Sequence, residues 1–389
     1  MSNDELIHRY DAVMTRAFDT PKRVFVRGEG VHVEDADGKG YTDLLSGLAV
    51  LGLGHAHPTV TEAVTTQLQT LGHISNLFAS EPQIRLAERL AGHLGDPSAR
   101  VFFTNSGSEA NEAAFKLTRL TGRTRIVAME GSFHGRTAAS LAVTSNARYR
   151  TPFEPLPGEV EFVPYGDVGA LERAVDGRTA ACVLECIQGE NGVVPAPEGF
   201  VAEARRLCDA RGALLWIDEV QTGIGRCGAM FAHRAEGVVP DLVTVAKGLG
   251  NGFPIGACLA TGAAGALFGP GDHGTTFGGN PVAAAAGNAV LDVLEGGLLD
   301  EAVATGAWFA DALRGLSHPD VRRVRGRGLL LGLVLARPIA PAVADAALDA
   351  GFIINAPRPN VLRLAPPLVA TRRELQPFVD ALPGLLERA

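Results

Sequence analysis

Lysine is nearly missing from this chain. Only Lys22, Lys39, Lys116 and Lys247 occur among 389 residues, and arginine carries the rest of the basic charge. No arginine block stands out, the net charge is -8 and the pI is about 5.7. A nucleic-acid footprint is therefore not expected. Cysteine is scarce and odd in number (Cys182, Cys186, Cys208, Cys227, Cys258), which argues against a disulfide framework and suits a reducing cytoplasm. Cys182 and Cys186 share one apolar run and read as core thiols. His55 and His57 have no acidic or thiol partner at ligand-like spacing, so no metal site is expected. Runs of about twenty apolar residues are lacking, and Met1-Ser-Asn-Asp-Glu-Leu has neither a basic nor an apolar leader segment. Neither a membrane span nor a secretory signal is expected, and the protein reads as cytoplasmic. Walker and Gly-x-Gly-x-x-Gly loops are missing too, which argues against a nucleotide.

What is present describes a globular protein with a large core. Hydrophobic residues make up 46% and charged ones 20%. Val24 to Leu45 reads as short strands with turns at Gly28-Glu-Gly30 and Asp37-Gly38. From Gly54 to Asn280, apolar strands alternate with helical stretches. Strands are expected at Arg100–Thr104, Arg125–Ala128, Ala180–Glu185, Ala213–Asp218, Leu242–Ala246 and Gly256–Ala260. Helices are expected at Glu109–Leu120 and Gly199–Arg211. The alternation predicts an α/β fold with a mostly parallel sheet. Beyond Pro281 come an alanine-rich helix, further helices, and strand-like pieces at Gly328–Leu335 and Val361–Leu364. The expected organisation is an N-terminal segment, 1–53, joining a smaller domain, a large domain over 54–282, and the rest of the smaller α/β domain over 283–389.

Lys247 closes the apolar run Asp241-Leu-Val-Thr-Val-Ala-Lys and precedes Gly248-Leu-Gly250-Asn-Gly252. Burial there disfavours the ammonium, the condition a Schiff-base lysine needs. Asp218 and Glu219 follow the apolar strand Ala213-Leu-Leu-Trp-Ile. Strand ends in open parallel sheets face the ligand crevice, and a buried carboxylate there requires a positive partner. A protonated pyridine nitrogen would serve. Ser106-Gly107-Ser108 lies between a strand and a helix N-terminus, an arrangement that favours an anion. Taken alone it equally describes an ordinary serine N-cap. Phe133 in Gly131-Ser-Phe-His-Gly-Arg136 offers a flat stacking surface, and Arg136 a fork for a carboxylate. Gly274-Thr-Thr276-Phe-Gly-Gly-Asn280 is a hydroxyl-bearing glycine loop of the kind that approaches phosphate. Together these are the contacts of pyridoxal phosphate.

The chain resembles the class III aminotransferases on the type I pyridoxal-phosphate fold, and within them the acetylornithine aminotransferases. The resemblance runs from about Val26 to Leu385. Its marks are Gly72-His-Ile-Ser-Asn76, Asn105-Ser-Gly-Ser-Glu-Ala-Asn111-Glu, Phe133-His-Gly-Arg136, Glu185-Cys-Ile-Gln-Gly-Glu190, Asp218-Glu-Val-Gln221-Thr-Gly, Lys247-Gly-Leu-Gly, Gly274-Thr-Thr-Phe-Gly-Gly-Asn280 and Arg363-Leu-Ala-Pro-Pro. It implies that Lys247 holds the cofactor and shuttles the proton, that Asp218 bonds the pyridine nitrogen, and that Gln221 bonds the phenolic oxygen. Phe133 and Val220 would flank the ring. Gly107 and Ser108 would take the phosphate, and Thr276 would reach it from the partner subunit of a homodimer. Arg136 would bind the donor's α-carboxylate and Arg363 a carboxylate of 2-oxoglutarate. Glu190 would pair with Arg363 when the donor is bound and release it for the acceptor. Asn76 and Thr275 carry over as substrate-binding residues. The chain departs from the usual motif at Cys186, where proline is common, at Asn191, where glycine is common, and at Ser108, where threonine is common.

Two features bear on the amine donor. The related ornithine enzymes carry a tyrosine in the stretch matching Leu44-Leu-Ser-Gly-Leu-Ala-Val-Leu51, and a Phe-Trp-Gly-Arg motif. Here that stretch contains no aromatic, and the motif reads Phe133-His-Gly-Arg136. An apolar lining suits an acylated α-amine, so N2-acetyl-L-ornithine is the expected donor and 2-oxoglutarate the acceptor, a step of arginine biosynthesis. N-succinyl-diaminopimelate or ornithine as donor, or an aminomutase that needs no external keto acid, are the alternatives.

Overall fold

Long apolar strands with polar residues just past their ends dictate the architecture of the computed structural model, which describes residues 1–389. Strands β1 (Phe25–Glu29), β2 (His32–Asp35) and β3 (Gly40–Asp43) form an antiparallel meander, as their turn residues predict. The main sheet then takes β4 (Arg100–Thr104), β5 (Arg125–Met129), β6 (Glu159–Val163) and β7 (Thr179–Leu184). A small hairpin follows, β8 (Ile187–Gln188) with β9 (Val194–Pro195). β10 (Leu214–Asp218), β11 (Leu242–Val245) and β12 (Gly256–Ala260) complete the main sheet, whose order is β4-β12-β11-β10-β7-β5-β6. All six expected strands are present, together with the unexpected edge strand β6. Only β12 runs against its neighbours, antiparallel to both β11 and β4, so the sheet is mostly parallel. Its central strands are buried along almost their whole length, which is why they read as continuous apolar runs rather than alternating ones.

The C-terminal part builds a second, antiparallel sheet from β13 (Val321–Arg327), β14 (Leu330–Leu335), β16 (Asn355–Arg358) and β17 (Val361–Leu364), in the order β13-β14-β17-β16. β15 (Phe352–Ile353) instead pairs parallel with β3 and joins the N-terminal meander. The helix Pro281–Val293 begins at an Asn280 cap, and its alanines allow close approach to neighbouring helices. A Cβ on Gly287 would sit 2.7 Å from Leu86 Cδ2, so a larger residue there would displace a fully buried leucine. Overpacking of this kind costs about 1–3 kcal/mol. With its kinked continuation this helix spans Pro281–Arg314, long and apolar enough to cross a membrane, yet 56% of its most apolar window is buried inside the fold.

Candidate active site

Five strand ends deliver the site. Beyond β4 come Ser106, Gly107 and Ser108; beyond β5, Phe133 and His134; beyond β7, Glu185; β10 ends in Asp218; and beyond β11 comes Lys247. All of them line one cavity of about 300 Å³, with Val50, Asn105, Asn111, Glu190, Val220, Gln221 and the segment 252–255. This is the carboxyl edge of the sheet, where open α/β folds place ligands.

The helix Gly107–Arg119 starts at this edge, capped by Ser106, whose Oγ accepts from Glu109 N. Its first backbone N–H groups have no intrahelical partner. A Cβ on Gly107 would lie 2.7 Å from Val220 Cγ1, so glycine keeps this cradle open. Asp218 is buried and anchored through both oxygens. Its Oδ2 accepts from His134 Nδ1 at 2.7 Å and Asn111 Nδ2 at 2.9 Å, and its Oδ1 from Val220 N at 2.9 Å. Burial disfavours the His134 imidazolium, but the hydrogen bond and charge of Asp218 prevail and its pKa is raised. Glu185 accepts from Phe133 N and Gly189 N, both at 3.2 Å. Burial first, then the charge of Asp218, push its carboxyl up to about 7, against the pull of His134.

Lys247 opens a short helical turn with φ of +45°, a left-handed conformation that is costly for lysine and aims its side chain into the site. Burial lowers the pKa of its amine, opposed by Glu190 and reinforced by Arg363. Opposite, Arg363 is fully buried and ion-paired with Glu190. It also donates to Gln221 Oε1 at 3.1 Å and to Asn355 Oδ1 at 3.1 Å. Burial alone would raise the Glu190 pKa, but the charge and hydrogen bond of Arg363 hold it below the ordinary range. A Cβ on Gly189 would come within 2.0 Å of Gln221 Oε1, so a larger residue there would push the Gln221 amide away from Arg363. Arg136 lies with its guanidinium carbon 3.5 Å from the Tyr149 ring centroid and 5.5 Å from that of Phe133.

Of the expected site residues, Asn76, Thr275, Thr276, Arg136 and Arg363 do not line this cavity, although Arg363 contacts its Glu190 and Gln221 and the Arg136 backbone N donates to its Ser108 Oγ. Asn76 Nδ2 donates to the carbonyls of Thr275 and Gly278, and Thr275 and Thr276 line a separate groove that shares Asn105 with the cavity. Sequence reasoning gave no role to Asn111, His134 or Glu185, although each stood inside a quoted motif. Tyr149 left no signal.

Three buried atoms, His134 Nε2, Asn111 Oδ1 and Arg363 Nη2, have no protein partner. Unsatisfied polar atoms around a cavity that also holds an amine, an anchored carboxylate, an aromatic face and a helix N-terminus suit a flat, anionic, carbonyl-bearing ligand. The aminotransferase class-III family model matches residues 13–386. The chain belongs to this family. It is 59% identical over 382 residues, covering 98% of both chains, to the acetylornithine aminotransferase of Mycolicibacterium smegmatis. Among solved structures, it superposes on the ornithine aminotransferase of Toxoplasma gondii, whose active site holds PLP at partial occupancy. There the TM-score is 0.94 at 31% identity, covering 100% of this chain and 95% of that one. The acetylornithine aminotransferase of Elizabethkingia anophelis gives a TM-score of 0.89 at 33% identity, covering 99% of each. The fold is therefore that of the class III aminotransferases, and the cofactor is pyridoxal 5′-phosphate.

Proposed function

We propose that this class III aminotransferase transfers the δ-amino group of N2-acetyl-L-ornithine to 2-oxoglutarate, giving N-acetyl-L-glutamate 5-semialdehyde and L-glutamate. The cavity wall carries the reading. Val50 is the only residue of 44–51 that lines it, so this stretch offers no acceptor for a free α-ammonium. An unpaired ammonium against such a wall is costly, whereas an acylated amine is not.

Bound pyridoxal phosphate supplies an electron sink for the carbanion formed at the amine-bearing carbon. The chain's residues position and protonate. Lys247 would hold the cofactor through its amine and serve as the proton-carrying group of the site. Asp218, itself oriented by His134 and Asn111, would pair with the protonated ring nitrogen. Phe133 and Val220 would flank the ring, and Gln221 would bond its phenolic oxygen. The helix N-terminus at Gly107 and Ser108 takes the phosphate. Arg136 holds the donor carboxylate, while Arg363 exchanges Glu190 for a carboxylate of the acceptor.

The position of Asn76, Thr275 and Thr276 outside the cavity supports a homodimer in which Thr276 completes the partner's phosphate site and Asn76 and Thr275 contribute to substrate binding. We also propose the division into a large domain over 54–282 and a smaller one formed by 283–389 with 1–53; pairing of β15 with β3 supports it. A cytoplasmic location accords with the reaction. The deciding experiment is the absorbance of the purified holoenzyme after adding N-acetylornithine without keto acid. Collapse of the visible band is expected. A band that persists, or that responds better to ornithine, would reject this donor.

A further inference from the structure

Residues 189–193 join β8 to β9, and three arginines of the C-terminal sheet grip three successive residues of this loop. Arg363 from β17 pairs with Glu190. Arg358 from β16 donates from Nη2 to Asn191 Oδ1 at 2.6 Å. Arg325 from β13 donates from Nε and Nη2 to the Gly192 carbonyl at 3.0 and 2.8 Å. Asn191 also faces the other way: its Nδ2 donates to Gln188 Oε1 at 2.8 Å, and Gln188 Nε2 donates to the Glu130 carbonyl at 2.9 Å. The amide of Asn191 thus bridges the C-terminal sheet to the turn that leads to Phe133. Val193, just beyond, has φ of +58°, a conformation that persists only where the surroundings over-determine it.

We infer that the Asn191–Arg358 bond is a positioning device for acceptor binding: it pins the backbone beside Glu190, so that Glu190 leaves and regains Arg363 by side-chain rotation alone. The inference rests on the reading of Glu190 and Arg363 as a carboxylate switch. A pinned loop pays no ordering entropy when Glu190 returns to its arginine; an unpinned loop does, and only in the paired state. Unpinning therefore raises the fraction of molecules with Arg363 free. The apparent affinity for a dicarboxylate rises with that fraction, since the observed Kd is the intrinsic one divided by it.

The test is calorimetric titration of the holoenzyme with glutarate, a dicarboxylate that cannot react. Asn191→Ala and Arg358→Met are each expected to tighten glutarate roughly three- to tenfold, by the population argument. The double variant should gain no more than Asn191→Ala alone, because that substitution already removes the bond that Arg358→Met removes. Arg358→Lys, which keeps a donor, should stay nearer the wild type. An unchanged Kd in Asn191→Ala overturns the inference, as does weaker binding in Arg358→Met, which would mean that Arg358 contacts the ligand itself. Glu190→Gln separates the two levels of the argument. If it leaves glutarate binding unchanged, the switch reading fails. If it tightens binding while Asn191→Ala does not, only the pin fails.

Discussion

Asp218 and His134 are joined by a 2.7 Å hydrogen bond in which both side chains are buried. A carboxylate only accepts, so the imidazole donates from Nδ1, and the hydrogen bond and charge of Asp218 favour the protonated ring, raising the His134 pKa against burial. The bond fixes the orientation of the Asp218 side chain in the cavity wall. Replacing Asp218 with Asn removes the charge and leaves the shape. Loss of one charge-assisted hydrogen bond, about 1.5–3 kcal/mol, predicts a ten- to hundredfold fall in kcat/KM. Steady-state kinetics on cofactor-saturated protein checks this, and a variant with wild-type kinetics would remove Asp218 from the machinery.

Lys247 holds a left-handed backbone conformation and a lowered amine pKa in the same cavity. Lys247→Ala should abolish the lysine-linked visible absorbance while leaving the circular dichroism unchanged. Loss of a general acid–base group predicts turnover lower by about 10²–10⁴-fold. A visible band that survives the substitution would mean that another amine carries the cofactor.

The sequence was most legible where burial dictated it. β4, β12 and β17 occupy the expected ranges, because each is a short apolar run bounded by turn residues. The strand ends carrying Asp218 and Lys247 were recognisable for the same reason. β6 escaped because its residues, Glu159-Val-Glu-Phe-Val, are exposed to half-buried until the last, as at a sheet edge. The reversed direction of β12 leaves no mark in composition. The left-handed run through Ser46, Gly47, Leu48 and Ala49 next to the cavity was invisible too. It is held by Asp43, whose Oδ1 accepts from Leu45 N and Ser46 N, and by Ser46 Oγ donating to the Ala365 carbonyl. The grip of Arg358 on Asn191 joins residues 167 positions apart, and no local pattern encodes it.

Glu185 predicts a pH dependence of stability. Its carboxyl shifts from the ordinary 4.5 up to about 7 in the folded protein. Between those values the folded state holds a proton that the unfolded chain has lost. The contribution is therefore fully present below about 4.5 and is lost as pH rises toward 7, amounting to roughly 3 kcal/mol over the window. Denaturant unfolding of the apoprotein across this range should show the decline, and Glu185→Gln should flatten it. An equal slope in both proteins would contradict the assignment.

Arg363 ties the specificity argument together, because it is the buried cation that Glu190 covers. Arg363→Lys keeps the charge but loses the planar fork that grips a carboxylate through two parallel N–H groups. It also gives up the simultaneous contacts to Gln221 and Asn355. The acceptor half of the cycle should suffer, with the KM for 2-oxoglutarate rising about ten- to hundredfold, as expected for loss of a charge-assisted bond. The donor half should change much less, since Arg136 rather than Arg363 is proposed as its carboxylate anchor. Stopped-flow absorbance with each substrate alone separates the halves. Equal losses in both would mean that Arg363 supports the cavity as a whole and does not discriminate between substrates.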